Sequence, residues 1–100
     1  MRVAWSDRAL EQVEEIGLYI ARDDRNAASR WLEGLSHTVN RLKRFPRSGR
    51  VVPELGSPEV REIIFGAYRV FYQVQESVEI LAIRGAAQHF EEGTLAEQDR

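Results

Sequence analysis

Between residues 42 and 60 the apolar pattern of this chain changes its period, and that change limits what it can fold into. Upstream, Ala28, Leu32, Leu35, Val39 and Leu42 recur at spacings of four, three, four and three. That is one narrow seam of the kind that packs a helix against another helix, and Trp31 and Phe45 widen it. Pro46 stops the helix, because it has no amide hydrogen and disfavours helical geometry in Phe45. An earlier helix is predicted from Leu10, Val13, Ile16 or Gly17, and Ile20, with Glu11, Glu14 and Glu15 on the other side. Ser6 is placed to cap it, with Asp7 at its positive end. Gly17 costs that helix roughly 1 kcal/mol relative to alanine, for which close approach by a neighbouring helix is the usual reason. Residues 2–5, RVAW, read as a short strand, and Arg22–Asn26 as the turn of an αα-hairpin.

Downstream the period is two. After a Pro-, Gly- and Ser-rich loop over 46–58, strands are predicted at Val60–Phe65, Tyr68–Val74 and Val78–Arg84, with turns at Gly66-Ala67 and Gln75–Ser77. Tyr68, Val70, Tyr72 and Val74 share one face of the middle strand, and Arg69, Phe71 and Gln73 the other. In the last strand Val78, Ile80 and Ala82 oppose Glu79, Leu81 and Ile83. Three strands so spaced make an antiparallel meander. One αα-hairpin covers one face of a sheet, yet both faces here are partly apolar. Either the segment Ala86–Phe90 folds back over Phe71 and Leu81, or a partner protein covers them.

One hundred residues allow one domain, 1–100, with one core. The chain has no cysteine, which excludes disulfides and thiolate metal sites and suits a reducing cytoplasm. The start, MRVAWSDRALEQVEE, has no apolar run of the kind a signal peptide carries. No segment reaches the ~18–20 apolar residues that a membrane span requires, so a cytoplasmic protein without a membrane partner is expected. Two separated histidines, His37 and His89, make no metal site, and no cofactor is expected. A net charge of −2 argues against nucleic-acid binding driven by charge, so no direct DNA binding is expected of this chain alone. The charge is unevenly spread. Residues 41–50, RLKRFPRSGR, hold five basic groups and no acid, and Lys43 is the single lysine among fourteen basic residues.

The element order β-α-α-β-β-β, with FPRSGRVVPELGSPEVREIIFGAYRVFYQV at its centre, resembles the ParE/RelE family of type II toxins. The most specific part is P-R-S-G-R at Pro46–Arg50, R-E-I at Arg61–Ile63 and Y-R-V-F-Y at Tyr68–Tyr72. The resemblance implies an α+β fold, an αα-hairpin packed on a small, mainly antiparallel sheet. It also implies a growth-arresting toxin, used in plasmid or chromosome maintenance and neutralised by a cognate, ParD-like antitoxin.

The family resemblance implies two activities on one fold. One branch, ParE, poisons DNA gyrase by protein contact. The other cuts messenger RNA in the ribosome, which requires a proton acceptor, a donor for the leaving oxygen, and positive charge around the phosphate. Here Arg61, Arg69 and Arg84, with His89 near the late position, are the residues available for that catalysis, and Glu54 or Glu62 for the base. No lysine lies in or after the strands, and no tyrosine follows Tyr72, so the gyrase branch leads. Beyond the fourth predicted strand the stretch Arg84-Gly85-Ala86-Ala87-Gln88-His89 lacks a further arginine common in the family. That keeps a third reading open, a weakened toxin retained mainly as an antitoxin-binding module. The target-binding surface is expected to be a basic patch of Arg50, Arg61, Arg69 and Arg84. Antitoxin contacts are expected at Trp31, Phe71 and Arg69, with Leu10 and Val13 as further candidates in the hairpin groove.

Overall fold

The computed structural model describes residues 1–86. Strand β1, Val3–Trp5, leads into helix α1, Asp7–Ala21, and helix α2, Arg25–Asn40. A 3₁₀ turn at Arg41–Lys43 follows, then the two-residue strand β2, Arg50–Val51, and a second 3₁₀ turn at Pro53–Leu55. Strands β3, Val60–Phe65, β4, Tyr68–Val74, and β5, Val78–Gly85, complete the fold. The sheet order is β1-β5-β4-β3-β2, antiparallel except where β1 lies parallel to β5. A parallel pair needs a long crossover, and the αα-hairpin is part of it. Two helices therefore pack on one face of a mixed five-stranded sheet, the α+β arrangement expected, with β2 as an addition.

Local chemistry sets the helix boundaries. The Ser6 side chain accepts from the Ala9 amide at 3.0 Å and caps α1, while Asp24 does the same for Ala27 at 3.1 Å at the start of α2. Ala28, Leu35, Val39 and Leu42 are buried as the seam predicts, and the last three join Val70, Tyr72, Val78 and Ile80 of the sheet in one core. Leu10 and Leu32 depart from expectation. They stay 52% and 43% exposed.

Gly17 is buried, but a methyl group added there would lie 4.0 Å from Leu32, an ordinary van der Waals distance. Helix approach therefore does not demand glycine at this position. Gly17→Ala is expected to stabilise the chain by about 1 kcal/mol. Urea unfolding measures this, and a loss of stability would mean that the methyl group meets a tighter contact.

The strand alternation carries one correction. Phe71 opposes Ala82, but Tyr72 opposes Ile80, so Leu81 is an extra residue in β5. The bulge reverses the phase of the strand. Val78 and Ile80 face the helices together with Ile83, whereas Ala82 joins Phe71 on the opposite face. The bulge also presents backbone acceptors to the start of α1: Ser6 donates its amide to the Ile80 carbonyl at 2.9 Å and its hydroxyl to the Leu81 carbonyl at 3.1 Å.

The chain itself covers the Phe71 part of the second sheet face, whereas Ile64 on the same face stays 58% exposed. Val52, with Leu55 and Val60 beside it, packs on Phe71 and Ala82, and Phe71 is fully buried. The 46–58 loop thus supplies cover that was expected from the segment Ala86–Phe90 or a partner. Most of that segment, from Ala87 on, lies outside the described residues.

Candidate functional site

The three motif pieces meet at Gly49. Its amide donates to the Tyr72 hydroxyl at 2.8 Å, inside the core. Its carbonyl accepts from the Arg61 guanidinium at 2.8 Å, and Arg61 also reaches the Arg47 carbonyl at 3.3 Å. A Cβ at position 49 would lie 2.5 Å from both the Glu62 carbonyl oxygen and the Tyr72 hydroxyl. Only glycine allows so close an approach. The string P-R-S-G-R, Arg61 and Tyr72 are therefore one structural joint that fixes the exit from the helical hairpin.

Burial holds the Tyr72 hydroxyl above its ordinary value of 10.0, opposed by the Gly49 hydrogen bond and the Arg61 charge. A folded-state value above the unfolded one means that the associated stability is complete below about pH 10 and is lost as pH rises through the folded value. Tyr72→Phe is expected to remove that alkaline loss. At neutral pH it should cost about 1–3 kcal/mol, because the Gly49 amide is left without an acceptor. Urea unfolding across a pH series checks both, and parallel curves for the two proteins would contradict the assignment.

The expected basic patch is only partly assembled. Arg69 and Arg84 oppose each other across β4 and β5, and Arg50 opposes Glu62, so these three share the sheet face that lies away from the helices. Arg61 opposes Tyr72 and belongs to the helix-facing side, where it serves the Gly49 joint. This corrects the four-arginine patch. Arg69 is internal: its side chain is 11% exposed, paired with Glu62 at 2.5 Å and with Glu54 at 3.4 Å, and its guanidinium lies 4.9 Å from the Phe71 ring centre. The Glu62 hydrogen bond, ahead of its charge and of Glu54, raises the Arg69 pKa against the opposing effect of burial. Glu62, itself 3% exposed, also accepts from Arg50 at 3.2 Å. Both carboxylates considered as bases are thus held by Arg69. Arg84 has a buried Nε without a hydrogen-bond partner. His89 lies outside the described residues. Among the described residues no group of three or more His, Asp or Glu side chains could hold a metal ion, and no helix is long and apolar enough to cross a membrane.

The expected antitoxin contacts divide differently. Phe71 is sealed beneath Val52 and its neighbours, and Arg69 is committed to its carboxylates, so neither offers a free contact surface. Trp31 is half-buried in an aromatic cluster, 6.2 Å from Phe65 and 5.5 Å from Tyr68 between ring centres, with its indole N–H buried and unpartnered. The open apolar surface lies elsewhere. Trp5, Leu10, Val13, Leu32 and Leu35 line a groove of about 160 Å³ between β1 and the two helices. Leu18 and Tyr19 extend exposed apolar surface along α1. Leu10 and Val13 are among the groove candidates read from the sequence, although their helical spacing favours core burial. Leu32 is not among them, since a helical repeat looks the same whether it ends in a core or in an open cleft.

With that geometry in place, the comparisons with known proteins agree with one another. A family model described as ParE toxin of type II toxin-antitoxin system, parDE, matches residues 3–90. A curated protein of Sinorhizobium fredii named "Putative toxin Y4kP" is 34% identical over 91 residues, spanning 89% of this chain and 92% of that protein. Among solved structures, a chain of the chromosomal ParDE TA system from P. aeruginosa superposes with a TM-score of 0.70. Identity there is 19%, over 85% of this chain and 95% of the other, and the likeness speaks to the fold.

Proposed function

This chain belongs to the ParE toxin family of type II toxin–antitoxin systems, and from that premise we propose that it inhibits DNA gyrase by direct protein contact until a cognate, ParD-like antitoxin covers it. The observation that supports contact over RNA cleavage is the separation of the arginines. A ribonuclease needs its cations and its base converging on one phosphate. Here Arg61 is turned to the helix side, while Arg69 is neutralised by Glu54 and Glu62, the two candidate bases. Sequence-specific operator binding falls to the antitoxin in this reading.

The antitoxin's landing surface is the groove of Trp5, Leu10, Val13 and Leu32. Exposed leucines beside an apolar cleft suit the apolar face of a segment that folds as it binds. Leu10→Glu is expected to weaken antitoxin binding by at least roughly tenfold, the effect of about 1.4 kcal/mol. Titration of the complex measures it, and unchanged affinity would move the antitoxin to another surface.

Cells expressing the chain without antitoxin separate the two targets. Growth arrest with chromosomal breaks, and no new codon-linked transcript ends, is the expected outcome. Codon-linked cuts would assign the ribosome instead, and normal growth would leave the antitoxin-binding role alone.

A further inference from the structure

The basic segment 41–50 has no part in the function proposed above. Arg41, Lys43, Arg44, Arg47 and Arg50 are all exposed. Arg50 shares Glu62 with Arg69, whereas the other four make no ion pair among the described residues. The remaining ninety positions hold nine basic residues against all sixteen acids, a net of −7. The modest overall charge therefore conceals a chain with one cationic segment against an acidic remainder.

The rim is also tied to the fold at both ends. Leu42 anchors it in the core, with 1% of its surface exposed, and the Gly49 joint anchors the far end. Between them the Lys43 carbonyl accepts from the Met1 nitrogen at 2.8 Å, and the turn is closed by Phe45 N–H to Arg41 carbonyl at 2.9 Å and Ser48 N–H to Phe45 carbonyl at 3.1 Å. Phe45 sits in the middle, 57% exposed, with the Arg44 guanidinium 5.6 Å from its ring centre. These contacts hold the five cations on one short, well-defined turn.

We infer that this rim is a contact for the phosphate backbone of DNA. Four unpaired cations and a fifth, shared one within ten residues match a ligand with about one negative charge per 1.7 Å of duplex axis. Arginine suits phosphate through its planar, forked donors. Outside this segment the sequence is net acidic, which favours contact through the segment itself. Net charge led to the expectation that this chain does not bind DNA alone, but the partition of that charge in the folded chain argues for weak, sequence-independent binding at the rim. Beside gyrase the same rim would meet the DNA that the enzyme holds, a consequence that rests on the reading proposed above.

The test uses the purified full chain and a short labelled DNA duplex over a range of salt. Binding at low salt is expected to fall with log salt at a slope of about −0.9 for each phosphate contacted. Arg44→Glu with Arg47→Glu should lose at least roughly tenfold in affinity and flatten the slope by about 2. The control Arg25→Glu with Arg30→Glu, the same charge change at the other end of α2, should lose much less. Circular dichroism and antitoxin binding confirm that each variant is folded. The inference is overturned if the parent chain does not bind, if the control loses as much as the rim variant, or if poly-glutamate competes as well as DNA. DNA binding without gyrase inhibition would sink the target reading and leave this one standing, and the converse result would do the opposite.

Discussion

Glu62→Gln is expected to destabilise the folded chain by about 3–5 kcal/mol, the cost of leaving a buried charge without its partner. Glu62 is 3% exposed and Arg69 11% exposed, and the two are joined at 2.5 Å. Removing the carboxylate takes away the shorter of the two ion pairs made with Glu62 and Glu54, the latter at 3.4 Å, while like-charged Arg84 stays opposite in the sheet. Like charges directly across a strand pair repel, so the loss of Glu62 acts twice. Against a total stability of about 5–15 kcal/mol for a domain of this kind, a large part of the folded population is at stake. Glu62→Leu combined with Arg69→Leu should recover most of the loss, because an apolar pair replaces a buried ion pair at little net cost. Urea unfolding of the single and double variants tests this, and a single-variant loss below about 1 kcal/mol would mean that the pair behaves as a solvated surface bridge. Variants of Arg69 that lose toxicity therefore have to be checked for folding before the loss is assigned to a target contact.

Gly49→Ala should be of comparable size, by a different mechanism. The added methyl group would lie 2.5 Å from a backbone oxygen of Glu62 and from the Tyr72 hydroxyl, and neither is the free end of a flexible chain. Relief requires the loop to move away, which breaks the Gly49–Tyr72 hydrogen bond and the Arg61 contacts. Overpacking costs about 1–3 kcal/mol and an orphaned buried donor about 1–3 more. At about 4–8 °C for each kcal/mol in a domain of this size, the melting temperature should fall by at least about 10 °C. A fall of only a few degrees would show that the loop yields freely and that the joint does not organise the motif.

The fold was legible wherever the pattern is local. Ser6 as a cap and the alternation in 60–65 and 68–74 report neighbours in sequence, and the structure has them in those roles, whereas α2 ends at Asn40, ahead of the stop expected at Pro46. What escaped were features set by distant partners. A two-residue strand such as Arg50–Val51 is too short to carry a period, and the bulge at Leu81 reverses the phase within an otherwise regular run. Cover for Phe71 came from a loop whose Val52 and Leu55 show no periodicity.

The site was harder, although one signal was available. Arg61 lies two residues from Ile63 and four from Phe65, and that parity alone assigns it to the helix-facing side and away from Arg69. The pairing of Arg69 with Glu54 and Glu62 was foreseeable as a possibility. Its burial was not, because that depends on the loop folding over the second face.

Gyrase supercoiling of relaxed plasmid by purified components tests the central claim most directly, with the full chain added in excess and then neutralised by its antitoxin. Arrested supercoiling with accumulated cleaved DNA, reversed by the antitoxin, is the predicted result. Undiminished supercoiling at saturating chain would contradict the account, whatever its family resemblance.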